Sequence, residues 1–119
     1  MYSADLAGQV LDSLRFSSAI QLRFSDGWLT IETPFVFASP DGETYTLDPD
    51  PEMNPEPLGR LLAILHQPVV HADVDETSST ITVRFENGSS IVAGPDPEYE
   101  SWELGRSNGD LLICGPGGL

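Results

Sequence analysis

Ile20-Gln21-Leu22-Arg23-Phe24-Ser25-Asp26-Gly27 alternates apolar and polar side chains and ends in Asp-Gly. The chain repeats the pattern at Ile81-Thr82-Val83-Arg84-Phe85-Glu86-Asn87-Gly88. An alternating run closed by Asp-Gly or Asn-Gly is a strand entering a tight hairpin turn. In the first copy Ile20, Leu22 and Phe24 share one sheet face, and Gln21 and Arg23 share the other. Asp26-Gly27 and Asn87-Gly88 are the expected hairpin turns, returning as strands over 28–32 and 90–93.

Working outward, each copy has the same neighbours. A leading strand precedes it, over 8–16 in the first half and 69–74 in the second, where Val70, Ala72 and Val74 alternate. A proline break follows each return strand, and then an aromatic-bearing strand, over 35–38 with Phe35 and Phe37 or over 101–104 with Trp102. Asp41-Gly42 and Asn108-Gly109 turn the chain into last strands over 44–47 and 111–114. The pattern predicts an α+β fold, mostly antiparallel β built from two similar meander halves, with one amphipathic helix between them. Periodicity leaves open one closed sheet or two packed sheets. Residues 1–7 read as a loose lead-in.

The segment between the halves differs in character. Residues 48–57 hold four prolines and four carboxylates, which excludes a central strand or a helix interior. Asn54 is a good helix N-cap, with Pro55 at the first helical position and Glu56 facing the positive end of the dipole. Leu58, Leu61, Leu62 and Leu65 recur at i, i+3, i+4 and i+7, which predicts a helix over 55–66 with a leucine stripe on the sheet. At 119 residues one domain over 1–119 is expected, made of a β half at 8–47, the acidic linker and helix at 48–67, and a β half at 69–114.

Charge is the outlier. Nineteen carboxylates face five basic residues, all of them arginine, for a formal net charge of −14. Such a field repels nucleic-acid phosphates and anionic lipid, and favours a basic protein or a cation. No apolar run reaches the ~20 residues that span a bilayer, and the N-terminus lacks a signal-peptide pattern. Cys114 is the single cysteine, so no intrachain disulfide can form, and a reducing cytoplasm is the expected location.

Chemistry-bearing patterns are weak. Asp48-x-Asp50-x-Glu52 and Asp73-x-Asp75-Glu76 alternate oxygen ligands, but the calcium-loop glycine is missing. His66 and His71 lack zinc spacing and a nearby thiol. His66 falls in the last turn of the expected helix, where a cation suits the dipole. Cys114 sits in an apolar strand and reads as a small buried hydrophobe. No catalytic residue, metal or cofactor is expected. The candidate partner-binding surface is the two acidic loops: Asp48, Asp50 and Glu52 in one, Asp96, Glu98, Tyr99, Glu100 and Glu103 in the other. Trp102 joins them as an interface-type aromatic. If the halves are pseudo-symmetric, these loops should occupy corresponding places and combine.

Pro95-Asp96-Pro97-x-Tyr99-Glu100-x-Trp102-Glu103-Leu104, followed by Gly109 and by Cys114-Gly-Pro-Gly-Gly, resembles the C-terminal signature of a family of small actinobacterial proteins known only as a domain of unknown function. The Phe-x-Asp-Gly hairpin and Pro34-Phe35 are also similar, so the resemblance runs from about Gly8 to Gly118. It implies no activity. Small acidic proteins of such genomes are often antitoxins or immunity partners, an analogy of class. The function expected is therefore a non-enzymatic acidic binding protein, an immunity or antitoxin-type inhibitor that covers a basic toxin or nuclease site. The alternative is a structural or self-assembling β domain without a toxin partner. A hydrolase using paired carboxylates is a third class. Whether the chain is a monomer or a homodimer is open.

Overall fold

The structure, a computed structural model, describes residues 2–50 and 55–119. A short strand β1 (Tyr2–Ser3) precedes the meander β2 (Leu11–Phe16), β3 (Ile20–Phe24) and β4 (Gly27–Ile31). The chain then crosses to the other layer as a hairpin, β5 (Phe35–Ala38) and β6 (Thr44–Leu47). Helix α1 (Pro55–Gly59) leads to a second meander, β7 (Val69–Asp75), β8 (Thr80–Phe85) and β9 (Ser90–Ala93). The hairpin β10 (Trp102–Gly105) and β11 (Leu111–Cys114) crosses back. The two antiparallel sheets run β1-β7-β8-β9-β5-β6 and β11-β10-β4-β3-β2. The fold is therefore α+β, dominated by antiparallel strands in two sheets, with the helical segment between β6 and β7.

Apart from β1, which adds a sixth strand at the edge of one sheet, each half gives three strands to one sheet and two to the other. The joins are β4 with β10 and β5 with β9. The inward residues of both sheets then make one core. Ile20, Leu22 and Phe24 pack with Ile81, Val83, Phe85, Phe37 and Trp102. Burying each such side chain contributes roughly 1.5–3 kcal/mol.

The halves are related by a pseudo-two-fold. Leu14 pairs Leu22 as Ala72 pairs Val83, and both meanders carry a register shift at the same place, between Leu11/Ser13 and between Val69/His71. Around the isolated bridge Val10–Pro68 the hydrogen bonds are reciprocal. The N–H of Gly8 donates to Val69 O (2.8 Å) as that of His66 donates to Leu11 O (2.8 Å). That of Val69 donates to Gln9 O (2.8 Å) as that of Leu11 donates to Gln67 O (3.1 Å). Gly8 and His66 both take positive φ, 86° and 68°. The repeat thus begins at Leu6 and Ile64, earlier than the strand pattern alone suggests, and both of these side chains are buried.

Five local expectations are corrected. The lead-in is not loose: β1 pairs with β7, Ala4 and Leu6 are buried, and Arg106 lies over the Tyr2 ring at 5.1 Å. The helix is shorter than 55–66, because α1 passes into a 3-10 turn over Arg60–Ile64. In a 3-10 turn residues i and i+3 eclipse, so Leu58, Leu61 and Ile64 form the inward row and Leu62 is exposed. His66 lies beyond the helical segment and does not cap it. Val70 sits in the register shift and points outward, 55% exposed. In the first hairpin Phe24 pairs Gly27, so Ser25-Asp26 is the turn and Gly27 is strand. The Asn54 cap and the carboxylates of Glu52 and Glu56 lie outside the described residues.

Candidate protein-binding surface

The halves differ most between the meander and the crossing hairpin. In the first half Glu32-Thr33-Pro34 makes this step, between Ile31 and Phe35; in the second it takes 94–101. The longer loop is held by its own polar groups. Asp96 accepts the N–H groups of Glu98 (2.8 Å) and Tyr99 (3.0 Å) on one carboxylate oxygen, an Asx turn. Its carbonyl accepts the N–H of Gly117 at 2.7 Å. At the far end the Ser101 hydroxyl donates to Gly94 O and sits 2.8 Å from that of Thr33. Buried hydroxyls with partners at both ends are the arrangement that avoids a desolvation cost.

The result is a fixed loop with its tip in solvent. Tyr99 is 65% exposed, and Pro97 and Glu98 are exposed beside it. Glu100 and Glu103 lie near Glu32, the residue on the equivalent step of the other half. Partial burial, and then the charges of Glu100 and Glu103, push the Glu32 carboxyl above its ordinary value. Three carboxylates therefore share one end of the sandwich.

Trp102 does not belong to this surface. It is fully buried, and its indole N–H donates to Ser79 O at 3.0 Å. It occupies the inward position that Phe35 holds in the other half, so it anchors the core and no partner can touch it. Nor does the first acidic loop correspond to the second. Half-buried Asp48 and exposed Asp50 follow the edge strand β6, so the pseudo-two-fold sets them against the tail after β11. Asp48 accepts the N–H of Asp50 at 3.0 Å. Glu52 lies outside the described residues. Of the sequence candidates, the structure brings together Asp96, Glu98, Tyr99, Glu100 and Glu103, and adds Glu32, which no acidic run flagged.

Two shallow concavities, equivalent under the pseudo-two-fold, lie on the outer faces. One, of about 200 Å³, is lined by His71, Asp73, Asp75, Thr80, Thr82 and Arg84, with His71 Nε2 against the Asp73 carboxylate. The other, of about 500 Å³, is lined by Ser13, Leu14, Arg15, Phe16, Gln21 and Arg23. The signal for both was the alternation that puts Gln21 and Arg23, or Thr82 and Arg84, on the solvent face. Among the described residues no three His, Cys, Asp or Glu side chains are placed to hold a metal ion. Burial raises the Cys114 thiol above its ordinary value. Among the described residues no helix is long and apolar enough to cross a membrane.

The fold is thus two antiparallel sheets with exchanged hairpins around one core, with an acidic loop tipped by the exposed Tyr99. The chain belongs to a family of unknown function, DUF6188, which it matches over residues 2–119. No curated protein and no solved structure matches it.

Proposed function

We propose that this protein is a non-enzymatic binding protein of the immunity or antitoxin type, which covers a basic site on a protein partner with its 94–101 loop. The observation that carries this reading is the crowding of Glu32, Glu100 and Glu103, with the Glu32 carboxyl raised, beside an exposed Tyr99 on a hydrogen-bonded loop. Like charges held together are relieved when cations arrive, and complementary fields accelerate encounter. A tyrosine supplies contact area at a small entropic cost. The −14 net charge points to the same sign of partner. A cytoplasmic location suits a protein that neutralises a toxin before its export.

The test uses the protein product of the adjacent gene, made recombinantly, and calorimetric titration at low and high salt. The expected result is a complex that weakens steeply with salt and loses at least about tenfold in affinity, 1.4 kcal/mol, on Glu98→Gln, Tyr99→Ala and Glu100→Gln together. A complex indifferent to salt, or to these three changes, would falsify the assignment of the loop.

A further inference from the structure

The outer face of the five-stranded sheet carries two ladders of side chains, read from its registers. One runs Leu111, Gly105, Trp28, Arg23, Ser13 across β11, β10, β4, β3 and β2. The other runs Ile113, Glu103, Thr30, Gln21, Arg15. The second ladder is bipolar: a carboxylate stands on β10 and a guanidinium on β2. Strands lie about 4.8 Å apart, so three intervals, roughly 14 Å, separate Glu103 from Arg15. They cannot pair within one chain. Arg15 and Arg23 are exposed, and neither has an ion pair or ring contact among the described residues. In a chain with nineteen carboxylates, two neighbouring unpaired guanidiniums beside a concavity are unexpected on charge alone.

The ladders are complementary to themselves. A two-fold axis parallel to the strands, passing between β3 and β4, lays β10 of one copy over β2 of another and β4 over β3. Glu103 then faces Arg15, Thr30 faces Gln21, and Trp28 faces Arg23, each twice. Charge meets opposite charge, amide meets hydroxyl, and guanidinium meets the face of an indole, the favoured cation–π partner. The Trp28 ring lies against Gly105, where an added Cβ would come within 2.3 Å of it, and the residue is half-buried on this outer face.

We infer that this face is a homodimer interface and that its occupant is a second copy of the chain. The axis runs along the strands, so both 94–101 loops emerge at the same end of the dimer. Glu103 passes into the interface, so what the dimer doubles is the loop tip with Glu98, Tyr99 and Glu100, and a two-fold basic partner would gain from bivalency. The dimer itself does not depend on that partner. Four facing strands make an interface at the small end of the usual range, so the association is weak and concentration-dependent. Each copy carries −14, so moderate salt strengthens the dimer by screening long-range repulsion. Binding of a basic partner has the opposite salt dependence, which keeps the two proposals separable.

Sedimentation velocity on the full chain, from about 10 μM to about 1 mM, tests a weak interface of this kind. The expected result is a monomer–dimer equilibrium, stronger at moderate than at low salt, with a Trp28 fluorescence change that Trp28→Phe removes. Arg15→Glu or Glu103→Arg alone should abolish the dimer at every concentration, and the two together should restore it. Arg15 is exposed and Trp28 and Glu103 are half-buried on the outer face, and circular dichroism checks that the fold is kept. A chain that stays monomeric throughout overturns the inference. So does a dimer indifferent to both single reversals, or one that the paired reversal does not restore.

Discussion

Phe24-Ser25-Asp26-Gly27 and Phe85-Glu86-Asn87-Gly88 look like the same hairpin and are not. In the first, Phe24 pairs Gly27 across a two-residue turn. In the second, the Phe85 N–H donates to Ser89 O at 2.9 Å across three residues, and Gly88 takes φ 92°. Their surroundings explain the difference. Both turns are tied to the pseudo-axis, Ser25 N–H to Val10 O and Glu86 N–H to Pro68 O, each 3.0 Å. Around the first turn, however, the 2–10 segment closes in. Gln9 Oε1 accepts the Asp26 N–H at 2.8 Å, and Leu6 lies against Gly27. Around the second, the helical segment takes that place, and Asn87 Nδ2 donates to Ala63 O at 2.9 Å. One motif thus yields two turns, because what precedes each meander differs. The same glycine position is used for closeness in one half and for its left-handed backbone in the other.

The comparison can be broken most severely in the core it shares. Trp102→Ala and Phe35→Ala empty equivalent inward sites, and each should cost about 3–5 kcal/mol in denaturant unfolding. A large inequality between them would show that the halves do not share the core equally. The glycines come next. Gly27→Ala puts a Cβ 2.9 Å from the Gly105 carbonyl and 3.1 Å from Leu6 Cδ2, whereas Gly88→Ala meets nothing nearer than 3.7 Å but keeps a strained φ. Each should cost about 1–3 kcal/mol. Asparagine separates the causes, since it tolerates the left-handed region. Gly88→Asn should recover part of the loss in melting temperature, and Gly27→Asn none of it.

A smaller effect is expected at Asn87→Ala, which releases the helical segment from the second turn. The loss should be about 1 kcal/mol, with faster amide exchange confined to 58–67. The smallest is at Glu32→Gln. The folded carboxyl is raised above 4.5, so the folded state holds this proton more tightly than the unfolded chain does. Its ionisation therefore removes stability as pH rises through the window just above 4.5, and the penalty persists at neutral pH. Glu32→Gln should be more stable at neutral pH by only a few tenths of a kcal/mol, since the group is solvent-screened. That gain should vanish below pH 4.5. A gain independent of pH would show that the carboxylate crowding has no energetic consequence.

Much of this protein can be read along the chain because a strand's faces alternate at every residue. Ile20, Leu22 and Phe24 announce an inward row, Arg23 and Gln21 an outward one, and proline and glycine mark the turns. Strand positions, the repeat, the single helical segment and the fold class follow from such local rules. The acidic tip at 96–100 was legible too, as a run of carboxylates and prolines. The rest depends on residues far apart in sequence, and no period records them. The alternation of Trp102-Glu103-Leu104 puts the indole on one face with Leu104, but that it meets Ser79 follows only from its hairpin crossing to the opposite sheet. Glu32 meets Glu100 and Glu103 only because β4 and β10 become neighbours. Leu62 looks like part of a helical stripe, and the eclipsed rows of a 3-10 turn leave it outside. Local pattern set which residues form strands and which way they face; long-range pairing set which strands meet, and with them the surface this protein displays.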